Sequence, residues 1–326
     1  MRRLPSLLLA SLVASGASAA TWRVTNPGDS GPGTLRWAIE QAVANPGSDK
    51  IKFAARMSGQ VIQPLTALPT AYGPYTVIDG DIDDDGAPDV ALNGRRVAGM
   101  AAGLRVQGLG CTIIGLAIGG FPNSGMIIAD AYECTIRSCH LGVNLAGTKE
   151  NLNTYYQLLV VRSGKNRIGG TSPGEGNVIA AGPNHDQCGI RLCDSSDNTV
   201  TGNYIGVARD GGSALGANGI GIQVDPGAGE STGNTIGGTT ASKRNVFGGL
   251  GTGVEVSLAE DNLIAGNYFG LAADGDTVLP ITAAGVKLDA CRRNTVGGTA
   301  AGARNVFAGG AVQGVIATGS GGGNRV

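Results

Sequence analysis

The sequence has little aromatic or charged character. Aromatic residues make up 4% of its 326 positions and charged residues 15%, with a net charge of −1. Charge this sparse and balanced gives no electrostatic argument for nucleic acid or an anionic membrane, and it excludes a charged, disordered chain. Beyond the N-terminus no stretch has the length and apolarity of a membrane span. The six cysteines, Cys111, Cys134, Cys139, Cys188, Cys193 and Cys291, form no paired C-x-x-C elements, which argues against zinc. There is no nucleophile-elbow phrase, and no Rossmann or phosphate-loop motif stands in a strand–helix context.

Glycine is abundant instead. It occurs 57 times, well above the usual share of about 7%. No strict three-residue period accompanies it, so collagen is excluded. The glycines belong to recurring phrases. Gly202-Asn203-Tyr204-Ile205-Gly206 returns as Gly266-Asn267-Tyr268-Phe269-Gly270. Ile168-Gly169-Gly170-Thr171 returns at Ile236–Thr239 and Val296–Thr299. A Gly-Ile or Gly-Val pair at Gly189, Gly219, Gly253, Gly285 and Gly314 opens each unit, in steps of 30, 34, 32 and 29 residues. Self-similarity at this period predicts a stacked solenoid.

Residues 1–20 read as a secretory signal: Arg2 and Arg3, an apolar run from Leu4 to Val13, and the small residues Ala17-Ser18-Ala19. Export makes disulfides possible. The next segment is irregular. Trp22-Arg23-Val24 reads as a strand, and Asn26 to Gly33 as a loop rich in Gly and Pro. Thr34 can cap a helix whose apolar stripe is Leu35, Ala38, Ile39, Ala42 and Val43. Asn45-Pro46-Gly47 stops it. A helix placed there covers the open end of the solenoid.

From Leu104 a nine-residue frame takes over, starting at Cys111, Cys134, Asn198 and Asn262. Its sixth position is Leu116, Cys139, Asn203 and Asn267. Short β segments broken by Gly, about 30 residues per turn, describe a coil of three strands and three corners. Successive turns then stack in parallel about 4.8 Å apart. Asn at a corner supplies both donor and acceptor to inward backbone groups, can bond to the Asn of the next turn, and tolerates left-handed backbone. Cys111 and Cys134 share the first frame position. They are either a disulfide between stacked neighbours or small thiols in place of Asn.

These residues resemble a family. Val24-Thr25-Asn26, Asp29-Ser30-Gly31-Pro32-Gly33-Thr34-Leu35-Arg36 and Ala38-Ile39 look like the N-terminal cap of bacterial secreted repeat proteins of the CSLREA type. The Ile-Gly-Gly-Thr and Gly-Asn-Tyr-Ile-Gly phrases match their coils. The resemblance implies an all-β, right-handed parallel β-helix with an N-terminal capping helix, within the pectin-lyase-like superfamily. That superfamily includes polysaccharide lyases, hydrolases and epimerases, but fold alone does not carry a function across.

The sharpest local signal is acidic. Asp81, Asp83 and Asp85 alternate, Gly86 follows, and Asp89 stands at the ninth place of an EF-hand-like loop. The twelfth place is Leu92, so the bidentate Glu is missing. The reading is either a solvated acidic turn or a structural Ca²⁺ site with Asp81, Asp83, Asp85 and Asp89 as ligands. For a hydrolase the strand carboxylates are Asp225, Glu255 and Asp289, with Asp225 and Asp289 on one face at roughly 10 Å. For a lyase, Arg191 and Lys287 are outward bases without an evident acidic frame. His140 holds the place that Tyr204 and Tyr268 hold in later turns, which favours a side-chain stack. His185 falls on a loop.

The expectation is therefore a signal peptide at 1–20, a cap with irregular coils at 21–103 and regular repeats at 104–326. The last turn, ending Asn324-Arg325-Val326, starts the phrase and does not finish it, which suggests a piece of a larger polypeptide. The expected product is exported, to the periplasm, cell surface or medium. It is expected to be a non-catalytic structural or adhesion module touching polysaccharide or cell-surface components, with a carbohydrate-active enzyme on an acidic polysaccharide as the alternative.

Overall fold

A computed structural model describes residues 18–326 apart from 46, 185–186, 216–217 and 310–312. Most of the expected leader and His185 lie outside the described residues.

The chain winds as a right-handed parallel β-helix. Its described strands form three all-parallel sheets of ten, nine and eight strands. One turn shows the plan. Ile190–Cys193 belongs to the eight-stranded third sheet, Thr199–Thr201 to the ten-stranded first sheet and Tyr204–Ile205 to the nine-stranded second sheet. Inside, like side chains stack in columns. Ile136, Ile168, Val200, Ile236, Ile264 and Val296 follow one another in the first sheet, and all are buried. Each such side chain contributes about 1.5–3 kcal/mol on leaving water. In the second sheet Phe247, Phe269 and Phe307 stack at centroid distances of 4.6 and 5.0 Å.

The corners explain the phrases. Asn166, Asn198, Asn234, Asn262, Asn294 and Asn324 stack at the corner before the first sheet. Each of the first five gives both its backbone N–H and its Nδ2 to the Oδ1 of the next. A second row, Asn177, Asn203, Asn245, Asn267 and Asn305, does the same before the second sheet. The cysteines continue these rows: Cys134 N–H donates to Asn166 and Cys139 N–H to Asn177, both at 2.9 Å. All six thiols are free and buried. Cys111 and Cys134 therefore stand in for Asn. Their Sγ atoms lie 3.2 Å from Gly73 O and 3.3 Å from Gly108 O.

Left-handed backbone is not the property of these asparagines. Throughout the first row, and at Asn203 and Asn267 of the second, it belongs to the residue before: Lys165, Asp197, Gly202, Asp261, Gly266 and Arg293 have φ between 53° and 71°. The expectation that Asn supplies the left-handed turn is corrected. Asn satisfies hydrogen bonds, and at these corners its predecessor turns the chain, whereas Arg244, before Asn245, has φ −63°. The Ile-Gly-Gly-Thr phrase has its own cause. Gly169 has φ 89°, and a Cβ there would collide with Thr201 O of the next turn. Gly237 repeats this against Ala265 O.

At the N-terminal end, α1 (Leu35–Ala44) is capped by Thr34, whose side chain accepts from Trp37 N at 3.3 Å. Leu35, Ala38, Ile39 and Ala42 join the core beside Val24 and Ile51. Val43, expected in the same stripe, is exposed. The apolar arc is narrower than the spacing suggested.

Candidate functional site

The outward face of the third sheet carries the strand acids and bases that the sequence singled out, Arg191, Asp225, Glu255, Lys287 and Asp289. Strand alternation sends Ile190, Leu192, Ile222, Val224, Val254, Val256, Val286 and Leu288 inward. The opposite face carries Arg191, Gln223, Glu255 and Lys287 in one row, turn above turn. Beside it runs a second row with Cys193 opposite Asp225 and Ser257 opposite Asp289. Asp225 and Asp289 thus share a face, as their spacing predicted.

The charges on this face are paired across turns. Arg191 makes a bidentate contact with Asp225, Nε–Oδ2 and Nη2–Oδ1 both 2.9 Å, and also bonds Tyr156 Oη. The Asp225 carboxylate raises the Arg191 pKa further above its ordinary value. Lys287 Nζ lies 3.2 Å from Glu255 Oε1. Both carboxylates are buried while the cations stay partly open, with side-chain exposures of 27% for Arg191 and 34% for Lys287. Asp289 accepts from Thr318 Oγ1 at 2.8 Å. Burial, then the nearby Asp225, pushes the Cys193 thiol up to about 11, so it is no ready nucleophile. The expectation that Arg191 and Lys287 lack acidic partners is overturned. Each partner sits one turn away, 34 and 32 residues along the chain.

The acidic stretch folds into a compact loop. Oxygens of Asp81, Asp83 and Asp89 lie within 4.8 Å of one another. The loop's own backbone supports them. Asp81 accepts from Asp85 N at 3.1 Å and Gly86 N at 3.0 Å, and Asp89 accepts from Ile82 N at 2.8 Å and Ser58 Oγ at 2.7 Å. Burial raises the Asp81 pKa. Gly86 turns with φ 81°, as its place in the motif requires. Three clustered carboxylates are a donor set of the kind that hard cations such as Ca²⁺ take. Asp85, the fourth expected ligand, is not among them. Its Oδ1 accepts from Ala87 N at 2.8 Å, and its Oδ2 faces Arg209 Nη2 at 3.3 Å.

That contact spans 124 positions and walls a cleft of about 530 Å³ against the second sheet. His140 lines it. In the sheet Val178 separates His140 from Tyr204, so the expected stack is interrupted at every second turn. His140 Nδ1 lies 3.2 and 3.0 Å from the carbonyls of Asn144 and Leu145. Two acceptors there place the proton on Nδ1 and leave Nε2 as an acceptor. Burial holds His140 down at about 4, so the ring is neutral at pH 7.

Sequence reading missed Tyr156 and Arg209, which stand in loops outside the repeat. It also missed a usable signal. Opposite charges one turn apart recur, as in Asp130–Arg162 and Asp261–Arg293, each separated by 32 residues.

No protein-family model and no curated protein matches the chain. Solved structures similar to it include the ORF18 protein of Geobacillus virus E2, at 11% identity and TM-score 0.40, covering 93% of this chain and 59% of that one. The chain therefore spans less than two thirds of the viral protein. Pectate lyase Pel9A is similar at 14% identity and TM-score 0.39, covering 86% and 70% of the two chains. An alginate lyase from Paenibacillus sp. str. FPU-7 is similar at 13% and 0.34, covering 92% and 99%. These likenesses concern the fold.

Proposed function

We propose that the protein is an exported β-helix module that binds an acidic polysaccharide along the outward face of its third sheet without cleaving it. The observation that carries this reading is the row Arg191, Gln223, Glu255, Lys287. It sets polar groups at the strand repeat of about 4.8 Å, with partly open cations where sugar carboxylates would dock. The N-terminal Arg2, Arg3 and apolar run support export. The Asp81, Asp83 and Asp89 cluster would hold a structural Ca²⁺.

A second reading, an enzyme acting on an acidic polysaccharide, draws on Asp225 and Asp289. Two turns set them roughly 10 Å apart, at the edge of the range for inverting hydrolysis. One experiment separates the readings. Oligogalacturonate, oligoalginate and neutral dextran are titrated against the protein, and the mixtures are assayed for new ends. Binding of an acidic chain that weakens in Lys287→Ala, with no ends released, supports the module. Unsaturated or reducing ends would establish the enzyme instead.

A further inference from the structure

The cleft on the second sheet lies apart from the polysaccharide face and has its own chemistry. At about 530 Å³ it falls in the range of small-ligand pockets, roughly 300–1,000 Å³. Gly170, Gly174, Gly176 and Gly202 line it without side chains. Asp85, His140, Tyr204 and Arg209 supply its functional groups.

His140 is 2% exposed. Its Nδ1–H is spent on two carbonyls, and its Nε2 has no hydrogen bond among the described residues. No enclosed side-chain nitrogen or oxygen among those residues lacks a partner. Nε2 is therefore not sealed off, and its ring lines the cleft. It is a fixed, neutral acceptor in an otherwise buried ring, and such an atom gains most from a donor brought by a ligand. The second group is Arg209. Its backbone N–H donates to Gly147 O at 2.9 Å, which anchors the arm beside His140. Its guanidinium makes a single 3.3 Å contact with Asp85, and both side chains are about half exposed. Of the five N–H donors of an arginine, most remain for a ligand.

An acceptor that takes an O–H or N–H donor and a guanidinium that pairs with an anion, on one cleft, suit a ligand carrying both a donor and an anionic group. We infer that this cleft binds a single sugar acid, its hydroxyl donating to His140 Nε2 and its carboxylate pairing with Arg209. The site lies on a different sheet from Arg191 and Lys287, so it stands or falls independently of the polysaccharide reading.

The test is calorimetric titration of the full chain with glucuronate and galacturonate, with methyl glucoside and inorganic phosphate as comparators. One uronate should bind saturably, methyl glucoside should not, and phosphate should bind more weakly. Arg209→Gln, a change on an exposed arm with melting checked in parallel, should weaken the uronate by about tenfold or more. Lys287→Ala should leave it unchanged. In ¹⁵N spectra the His140 Nε2 resonance should move on adding the uronate. No saturable uronate binding, equal affinity in Arg209→Gln, or phosphate binding as tightly as the uronate would each overturn the inference. Uronate binding that survives while oligouronate binding fails sinks only the polysaccharide reading.

Discussion

Asn245 Oδ1 receives two hydrogen bonds from Asn203, one from Nδ2 and one from the backbone N–H, both at 3.0 Å. Asn203 Oδ1 in turn receives the same pair from Asn177 at 2.9 and 3.0 Å. Each asparagine is therefore acceptor for the turn before and donor for the turn after. Asn203→Ala strips Asn177 of its acceptor and leaves Ile168 O and Thr201 O without a side-chain donor. The loss should be about 3 kcal/mol. Asn184→Ala, on an exposed loop, should stay within about 0.5 kcal/mol. Urea unfolding of both variants checks the contrast.

Asp225 is buried in a bidentate pair with Arg191. Asp225→Ala leaves the guanidinium without its counter-charge, and a cost of about 3 kcal/mol is expected. Arg191→Ala should destabilise comparably and also weaken acidic oligosaccharide. Equal stability of Asp225→Ala and wild type in a thermal melt would mean that solvent already screens the pair.

His140 sets a pH dependence with a definite sign. Its pKa is about 4 in the folded chain against 6.5 for the ordinary group. Between these values the unfolded chain binds a proton that the folded chain refuses. Stability is therefore full above about 6.5, falls as pH drops, and stops falling below about 4. From pH 7 to pH 5 the loss attributable to this ring is about 2 kcal/mol. Urea midpoints at the two pH values should show it in wild type and lose most of it in His140→Gln.

Ca²⁺ should raise the melting temperature by several degrees through Asp81, Asp83 and Asp89. Asp83→Asn combined with Asp89→Asn should abolish the shift, while Asp85→Asn, whose carboxylate faces Arg209, should keep most of it. An identical melt with excess Ca²⁺ and with chelator would dismiss the cation.

The sequence made the coil legible because the same chemistry is demanded at every corner. Asn198, Asn203, Asn262 and Asn267 announce it four times, and the Cys134–Cys139 turn could be aligned to them without a structure. What the repeat could not show lies where it is interrupted. Arg209 meets Asp85 across more than a hundred residues, a contact written in neither period. The Asp81–Asp89 motif was visible, yet motif spacing counted Asp85 as a ligand when the fold turns it away. For Arg191 and Lys287 the partners were legible, since a charge needs its complement one turn along rather than nearby in sequence.

The stacked asparagines keep a constant contact over a very inconstant chain. From Asn177 to Asn203 the path is 26 residues, from Asn203 to Asn245 it is 42, and from Asn245 to Asn267 it is 22. The Nδ2–Oδ1 distance over these steps is 2.9 to 3.0 Å. The coil thus counts turns and ignores contour length. Loops between fixed corners behave as interchangeable inserts, so a binding segment can be lengthened, swapped or grafted on one turn while its neighbours keep their alignment.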